Sequence, residues 1–201
     1  KAEPIGGQWN FDADNRKSPP KGLSGPEPLW FEPDAITRAV IDKLDQLDQQ
    51  RVADGLAPLP GTLHSFRWGV TRQQALQVLD HFIDTRLAGF GPYQDAMVTG
   101  QPTLWHALLS PYLNLGLLHP LEVIRRLEHV GLERQVPLAG LEGVIRQLLG
   151  WREYTHGLYH WFGPDYAARN HFQARRPLPD WFDQLGGSGM ACIDKIGRAH
   201  V

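Results

Sequence analysis

Cysteine is nearly absent: one thiol, Cys192, stands in 201 residues, so no disulfide can form within the chain. That usage fits a reducing compartment, and a cytoplasmic protein is expected. No apolar run approaches the length of a membrane span and no secretory signal is visible. Net charge is also scarce, at a formal −2, which gives no global signature of a nucleic-acid binder. No segment alternates polar and apolar residues with period two, and no repeat or low-complexity tract occurs. With 42% hydrophobic and 21% charged residues, what remains is an all-α, soluble globular chain long enough to bury a core.

Charge is unevenly spread. Residues 1–60 carry ten acids and seven bases, whereas 121–176 carry six acids and eight arginines with no lysine. A mildly basic second half permits phosphate binding without requiring it, since each arginine is equally suited to a solvated helix face. Nine histidines suggest metal, but His156 and His160, spaced i,i+4, have no nearby carboxylate or cysteine in a metalloprotease pattern. The helix face they share could hold a metal; such pairs are more commonly plain surface histidines.

Helix signals recur along the chain. Lys1–Leu29, rich in proline, glycine and charge, reads as a linker or a segment wrapped over a surface. Pro33-Asp34 opens a helix to about Asp54, with Ile36, Val40, Leu44 and Leu47 as its stripe and Gly55 as its stop. Ala57–Gly69 reads as loop. Thr71 caps a helix to about Leu87, with Leu76, Leu79, His81, Phe82 and Ile83 near the apolar face, broken by Gly89, Gly91 and Pro92. A helix is expected over Leu104–Leu115 with a kink at Pro111, and another from Pro120 to about Glu133. The longest, Leu138–Trp161, ends at Gly163-Pro164, and short pieces follow at Pro164–Asn170 and Leu178–Leu185.

The longest helix is also the most informative. Leu141, Ile145, Leu148 and Leu149 form an apolar stripe, while Gln147, Trp151 and Tyr154 form an adjoining strip of amide, indole and phenol. Spacing alone allows two readings. One is an amphipathic core helix with a Glu142–Arg146 pair; the other is a wall of a cavity for a large, flat, polar-edged ligand.

The run Gln147-Leu148-Leu149-Gly150-Trp151-Arg152-Glu153-Tyr154 resembles the flavin-pocket helix of the cryptochrome/photolyase family, especially its bacterial iron–sulfur branch of photolyase-related proteins. Phe90-Gly91-Pro92-Tyr93, then Trp105-His106-Ala107-Leu108-Leu109-Ser110-Pro111-Tyr112, then Leu118-His119-Pro120-Leu121-Glu122-Val123 are similar to family motifs in the same order. Gly6-Gly7-Gln8-Trp9-Asn10-Phe11-Asp12, with Asn15-Arg16-Lys17, resembles the segment joining the two domains in that branch. The likeness runs from about Ile5 to Cys192.

The resemblance implies a helical FAD-binding domain over 33–194, incomplete at its C-terminus, preceded by an interdomain or wrapping segment over 1–32. It implies light-driven repair of pyrimidine photoproducts by electron transfer from reduced FAD, with damaged DNA as partner and a monomer when complete. Tyr93, His106, Leu109, Ser110, Gln147, Trp151 and Arg152 are the implied FAD contacts, and Ser110 and His106 can donate to phosphate. Ala107 replaces the usual serine and removes one phosphate donor. Cys192 stands where the branch keeps the first of four ligands to a [4Fe–4S] cluster, and an antenna chromophore belongs to the full-length pattern. The run Asp183–Gly189 departs from the family's, lacking its relay tryptophan, although Trp181 lies upstream. A cryptochrome-like photoreceptor, or a helical DNA- or protein-binding scaffold that has lost its cofactor, is the alternative. No catalytic acid, base or nucleophile is assigned. The last residues, 195–201, read like a translated sequencing adapter and are expected to be a non-native tail on an internal fragment.

Overall fold

A computed structural model of the chain describes residues 3–56, 58–59, 62–182 and 187–194. The expected tail at 195–201 and positions 183–186 of the run before Cys192 lie outside the described residues. The fold is all-α: among the described residues the helices are joined by turns, with one isolated β-bridge between Val98 and Gln101. No helix among them is long and apolar enough to cross a membrane. The chain divides into two compact units, one of residues 1–30 and 69–166, the other of 31–68 and 167–201.

The second unit holds α1, Ala35–Ala53. Its start is set by Asp34, whose carboxylate accepts a 2.7 Å hydrogen bond from the Thr37 N–H, satisfying an amide that the first turn leaves open. That bond holds the Asp34 carboxyl below its ordinary range. Gly55, at φ 75°, supplies the left-handed residue that stops the helix. The expected stripe is present but uncovered: Ile36 is 76% exposed, and no residue of α1 is buried. A strip one residue wide, flanked by Asp42, Lys43, Asp45 and Asp48, offers little area to bury.

The first unit carries the core. α2, Arg72–Thr85, opens with a capping box in which Thr71 and Gln74 satisfy each other's backbone amides. Ala75, Val78, Leu79, Phe82 and Ile83 are its buried face, while Leu76 and His81 sit half-buried at the margin. α5, Pro120–Glu133, starts at its expected proline with His119 and Glu122 forming a second box, and buries Val123, Ile124 and Leu127. Arg126 pairs with Asp80 and Arg134 with Asp84, tying α5 to α2.

α6, Leu138–Phe162, is the longest element, as its periodicity predicts, and ends where Gly163 turns to φ 68°. It packs on α5 and on α3, Leu87–Tyr93. The contact with α3 is made by glycines, since a Cβ on Gly91 would lie 2.7 Å from the Gly140 Cα.

Two helix boundaries differ from those read in the sequence, and one side chain explains both. Arg86 is 1% exposed and is the residue between α2 and α3, its φ stretched to −119°, so the break after α2 falls there. Gly89, Gly91 and Pro92, expected to end the helix, instead lie inside α3. The Arg86 guanidinium donates to the Leu104 carbonyl at 2.5 Å, to those of Thr103 and His106 at 3.3 Å, and to that of Pro26. Turning these carbonyls toward one side chain bends the 103–106 backbone out of a regular helix. Leu104 and Leu108 take φ 34° and 57°, and the helix expected over Leu104–Leu115 shrinks to α4, Ser110–Asn114. Pro111 sits in the first turn of α4, where its missing N–H costs nothing, and no kink arises.

Residues 1–30 are part of this unit through specific bonds. Asn15, buried, donates to the Ala139 carbonyl at 2.9 Å, and Gly25 lies against the Leu104 backbone so closely that a Cβ would clash at 2.2 Å.

Candidate functional site

The outer side of α6 presents its polar aromatic strip as the spacing requires. The Trp151 indole N–H donates to the Gln147 side-chain oxygen at 3.0 Å, one turn earlier. Tyr154 meets the Trp151 ring edge-on, with centroids 5.9 Å apart. Trp151 is 62% exposed, so its free face looks outward. An open depression of about 390 Å³ lies here, lined by Asp12, Arg16, Arg146, Gln147, Gly150, Trp151 and Tyr154.

Two guanidiniums flank that depression, and both are engaged. Arg16 reaches Asp12 at 2.8 Å and Asp95 at 3.0 Å. Arg146 holds Glu142 at 2.7 Å, as the i,i+4 spacing predicts. The rim therefore presents paired rather than bare charge, and an anion binding there would exchange with carboxylates. Aromatic faces, the Gln147 amide and exchangeable cations together suit a flat ring system with polar edges.

A second group of expected residues lies on the α3–α4 side. The Tyr93 ring packs against Trp105 with centroids 5.2 Å apart, and Trp105 in turn lies over Gly89. The His106 imidazole has a buried Nε2 with no hydrogen-bond partner. Leu109 is 2% exposed. Ser110 is exposed, its hydroxyl oxygen accepting from the Asn114 amide at 3.2 Å. Because no helix runs through 104–109, His106 and Ser110 do not share a helical face, as the helix expected over Leu104–Leu115 would have had them do.

Of the expected contacts, the depression brings together Gln147 and Trp151. Tyr93, His106, Leu109, Ser110 and Arg152 are not among its lining residues. Arg152 is half-buried and donates to the Leu148 carbonyl at 3.1 Å. The two groups are linked through the N-terminal segment: the Arg16 and Lys17 amides donate to the Gly91 and Pro92 carbonyls, beside Tyr93 in α3. Sequence reasoning did not place Asp12, Arg16 or Arg146 at a site. Asp12 and Arg16 belong to the Gly6–Lys17 motif, whose resemblance points to a domain junction, and in the sequence Arg146 stands only as the partner of Glu142.

Cys192 is an exposed free thiol on a helical turn over 191–194. Ser188 steadies that turn, its hydroxyl donating to Asp194 at 2.6 Å. Among the described residues no group of three or more His, Cys, Asp or Glu side chains could hold a metal.

Comparison with known proteins accords with this helical architecture. Residues 1–68 match the family model of deoxyribodipyrimidine photo-lyase-related proteins. Over 194 residues the chain is 42% identical to a (6-4) photolyase of Agrobacterium fabrum, covering 96% of this chain and 36% of that protein. Over 104 residues it is 33% identical to an uncharacterized protein, R853, of Acanthamoeba polyphaga mimivirus, covering 51% of this chain and 78% of that one. The chain belongs to the photolyase-related family. It spans about a third of the length of its Agrobacterium relative.

Proposed function

We propose that the chain supplies part of the helical FAD-binding domain, over 33–194, of a light-driven DNA photolyase, with 1–32 as the segment that wraps and joins it. The observation that carries the reading is the pairing of Trp151 with Gln147 over a depression flanked by Arg16 and Arg146. A hydrogen-bonded indole held with one face open is an apolar wall with a fixed polar edge, which is what a flat heteroaromatic ligand requires.

The residues present fit such a cofactor. The buried, unpartnered Nε2 of His106 is a polar atom that a bound ligand would satisfy, and burying it unmet is costly. Ser110 adds a hydroxyl for phosphate, and Tyr93 and Arg152 add donors nearer α3 and α6. Leu109, buried in the core, would act only by holding the backbone that precedes Ser110. The FAD would supply light absorption and the electron given to the lesion. The protein's residues orient the ring, exclude water from it and neutralise phosphate charge. Damaged DNA is the partner, and the excess of arginines over acids in 121–176 suits its backbone. Cys192 would be one thiolate of a [4Fe–4S] cluster whose other ligands come from outside this chain.

The test is repair. Full-length protein, reduced and illuminated with blue light, should restore an oligonucleotide carrying a single pyrimidine photoproduct, and dark controls should not. Absence of light-dependent repair for both cyclobutane and 6-4 lesions would overturn the enzymatic reading.

A further inference from the structure

Near the end of α6, His156 and His160 turn their imidazoles toward each other, with the two Nε2 atoms 2.8 Å apart and the rings nearly perpendicular. Both side chains are exposed, and a Cβ at the intervening Gly157 would meet nothing within 4 Å, so the approach is open. Neither the depression nor the proposed flavin contacts use this pair. The geometry points to a bidentate site for a divalent transition-metal ion of tetragonal preference, copper(II) or nickel(II), held by His156 and His160 through Nε2.

Three features carry the inference. First, the two Nε2 atoms already meet in a 2.8 Å hydrogen bond, so a metal ion that takes the place of the shared proton, which moves to Nδ1, finds both ligands on one face, and the continuous helix fixes their i,i+4 relation without a loop to order. Second, the separation selects the geometry. With metal–nitrogen bonds of about 2.0–2.1 Å, nitrogens 2.8 Å apart subtend about 85–90° at the metal. That is the angle between neighbouring positions of a square or octahedron. A tetrahedral zinc site would need the nitrogens about 3.3–3.4 Å apart. Third, His160 lies in the last turn of α6, where the unpaired carbonyl ends favour positive charge. With no third protein ligand among the described residues, water would fill the other positions, so the centre would stay open.

The order of affinities along the first transition row places copper(II) above nickel(II) and zinc for such nitrogen ligands. Other histidines will take up copper weakly and the exposed Cys192 thiol would reduce it, so every protein in the test carries Cys192→Ser.

The experiment titrates copper(II) into the 201-residue chain in a non-coordinating buffer at pH 7.5, read by calorimetry and by electron paramagnetic resonance. The Cys192→Ser parent should show one tight equivalent with an axial signal carrying two imidazole nitrogens. His156→Gln and His160→Gln should each weaken that equivalent on the order of a hundredfold, the chelate being lost. His129→Gln on α5 should leave it unchanged. Helicity measured on each variant checks that α6 is intact, and zinc should bind more weakly than copper by the same readout. Equal tight binding in the parent and in both variants would overturn the proposal, as would a single-nitrogen signal in the parent.

Discussion

Gly91 of α3 and Gly140 of α6 meet backbone to backbone, close enough that a methyl group on the first would lie 2.7 Å from the Cα of the second. The contact is asymmetric. A Cβ on Gly140 would be 3.5 Å from the nearest atom of Gly91, an ordinary separation, whereas one on Gly91 would also strike the buried Asn15 side chain at 2.4 Å. Gly91→Ala should therefore destabilise the chain by about 1–3 kcal/mol through overpacking. Gly140→Ala should stay within about 1 kcal/mol of wild type, its lost backbone freedom in the unfolded chain offsetting mild crowding. Urea unfolding of the two variants measures the difference.

Arg86 holds the loop that carries Trp105 and His106. Its guanidinium is buried among carbonyls, with Glu27 as the charge that favours its protonated form, and burial lowers its pKa from the ordinary value. Arg86→Met would leave the Leu104 and Pro26 carbonyls without a donor and should cost about 2–4 kcal/mol. Arg86→Lys should restore only part of that loss, because one ammonium cannot span the carbonyls that a fork reaches. Denaturant midpoints order the three proteins.

Glu122 accepts from Arg72 and from the His119 amide, and the Arg72 bond is the main reason its carboxyl stays below its ordinary value of 4.5. A depressed acid stabilises the fold above its unfolded-state pKa and loses that contribution as pH falls through the folded-state value. Wild type should thus be more stable than Glu122→Gln at pH 7, and the gap should close as pH drops below about 4.5. Parallel urea titrations at pH 7 and pH 3 test it.

Ser110→Ala addresses the phosphate side of the proposed pocket. In the full-length protein the loss of one hydrogen bond to a charged group should weaken FAD retention by about 1.5–3 kcal/mol. Equilibrium dialysis of the apoprotein with FAD reads this directly, and unchanged retention would reduce Ser110 to the opening residue of α4.

The helices most legible in the sequence were those with local punctuation. Asp34 and Gly55 bracket α1, Thr71 opens α2, Pro120 opens α5 and Gly163 closes α6, each by chemistry confined to one turn. The boundaries of α3 and α4 were not legible, because Arg86 sets them through carbonyls 17 to 60 residues away. Periodicity found the apolar positions of α1 but not their exposure, since a pattern states which residues share a face and not what covers it. The Gln147–Trp151 bond was legible from i,i+4 spacing. Arg16, brought to the same depression from 130 residues upstream, was not.

If α6 is one wall of a flavin pocket, the full-length protein must hold the cofactor. The direct measurement is the cofactor content of the full-length protein, purified without added flavin and then heat-denatured. The account predicts a yellow preparation that releases FAD near one equivalent, with Trp151→Ala lowering the yield while helicity is kept. A colourless, folded, helical protein that neither releases FAD nor takes it up would contradict it.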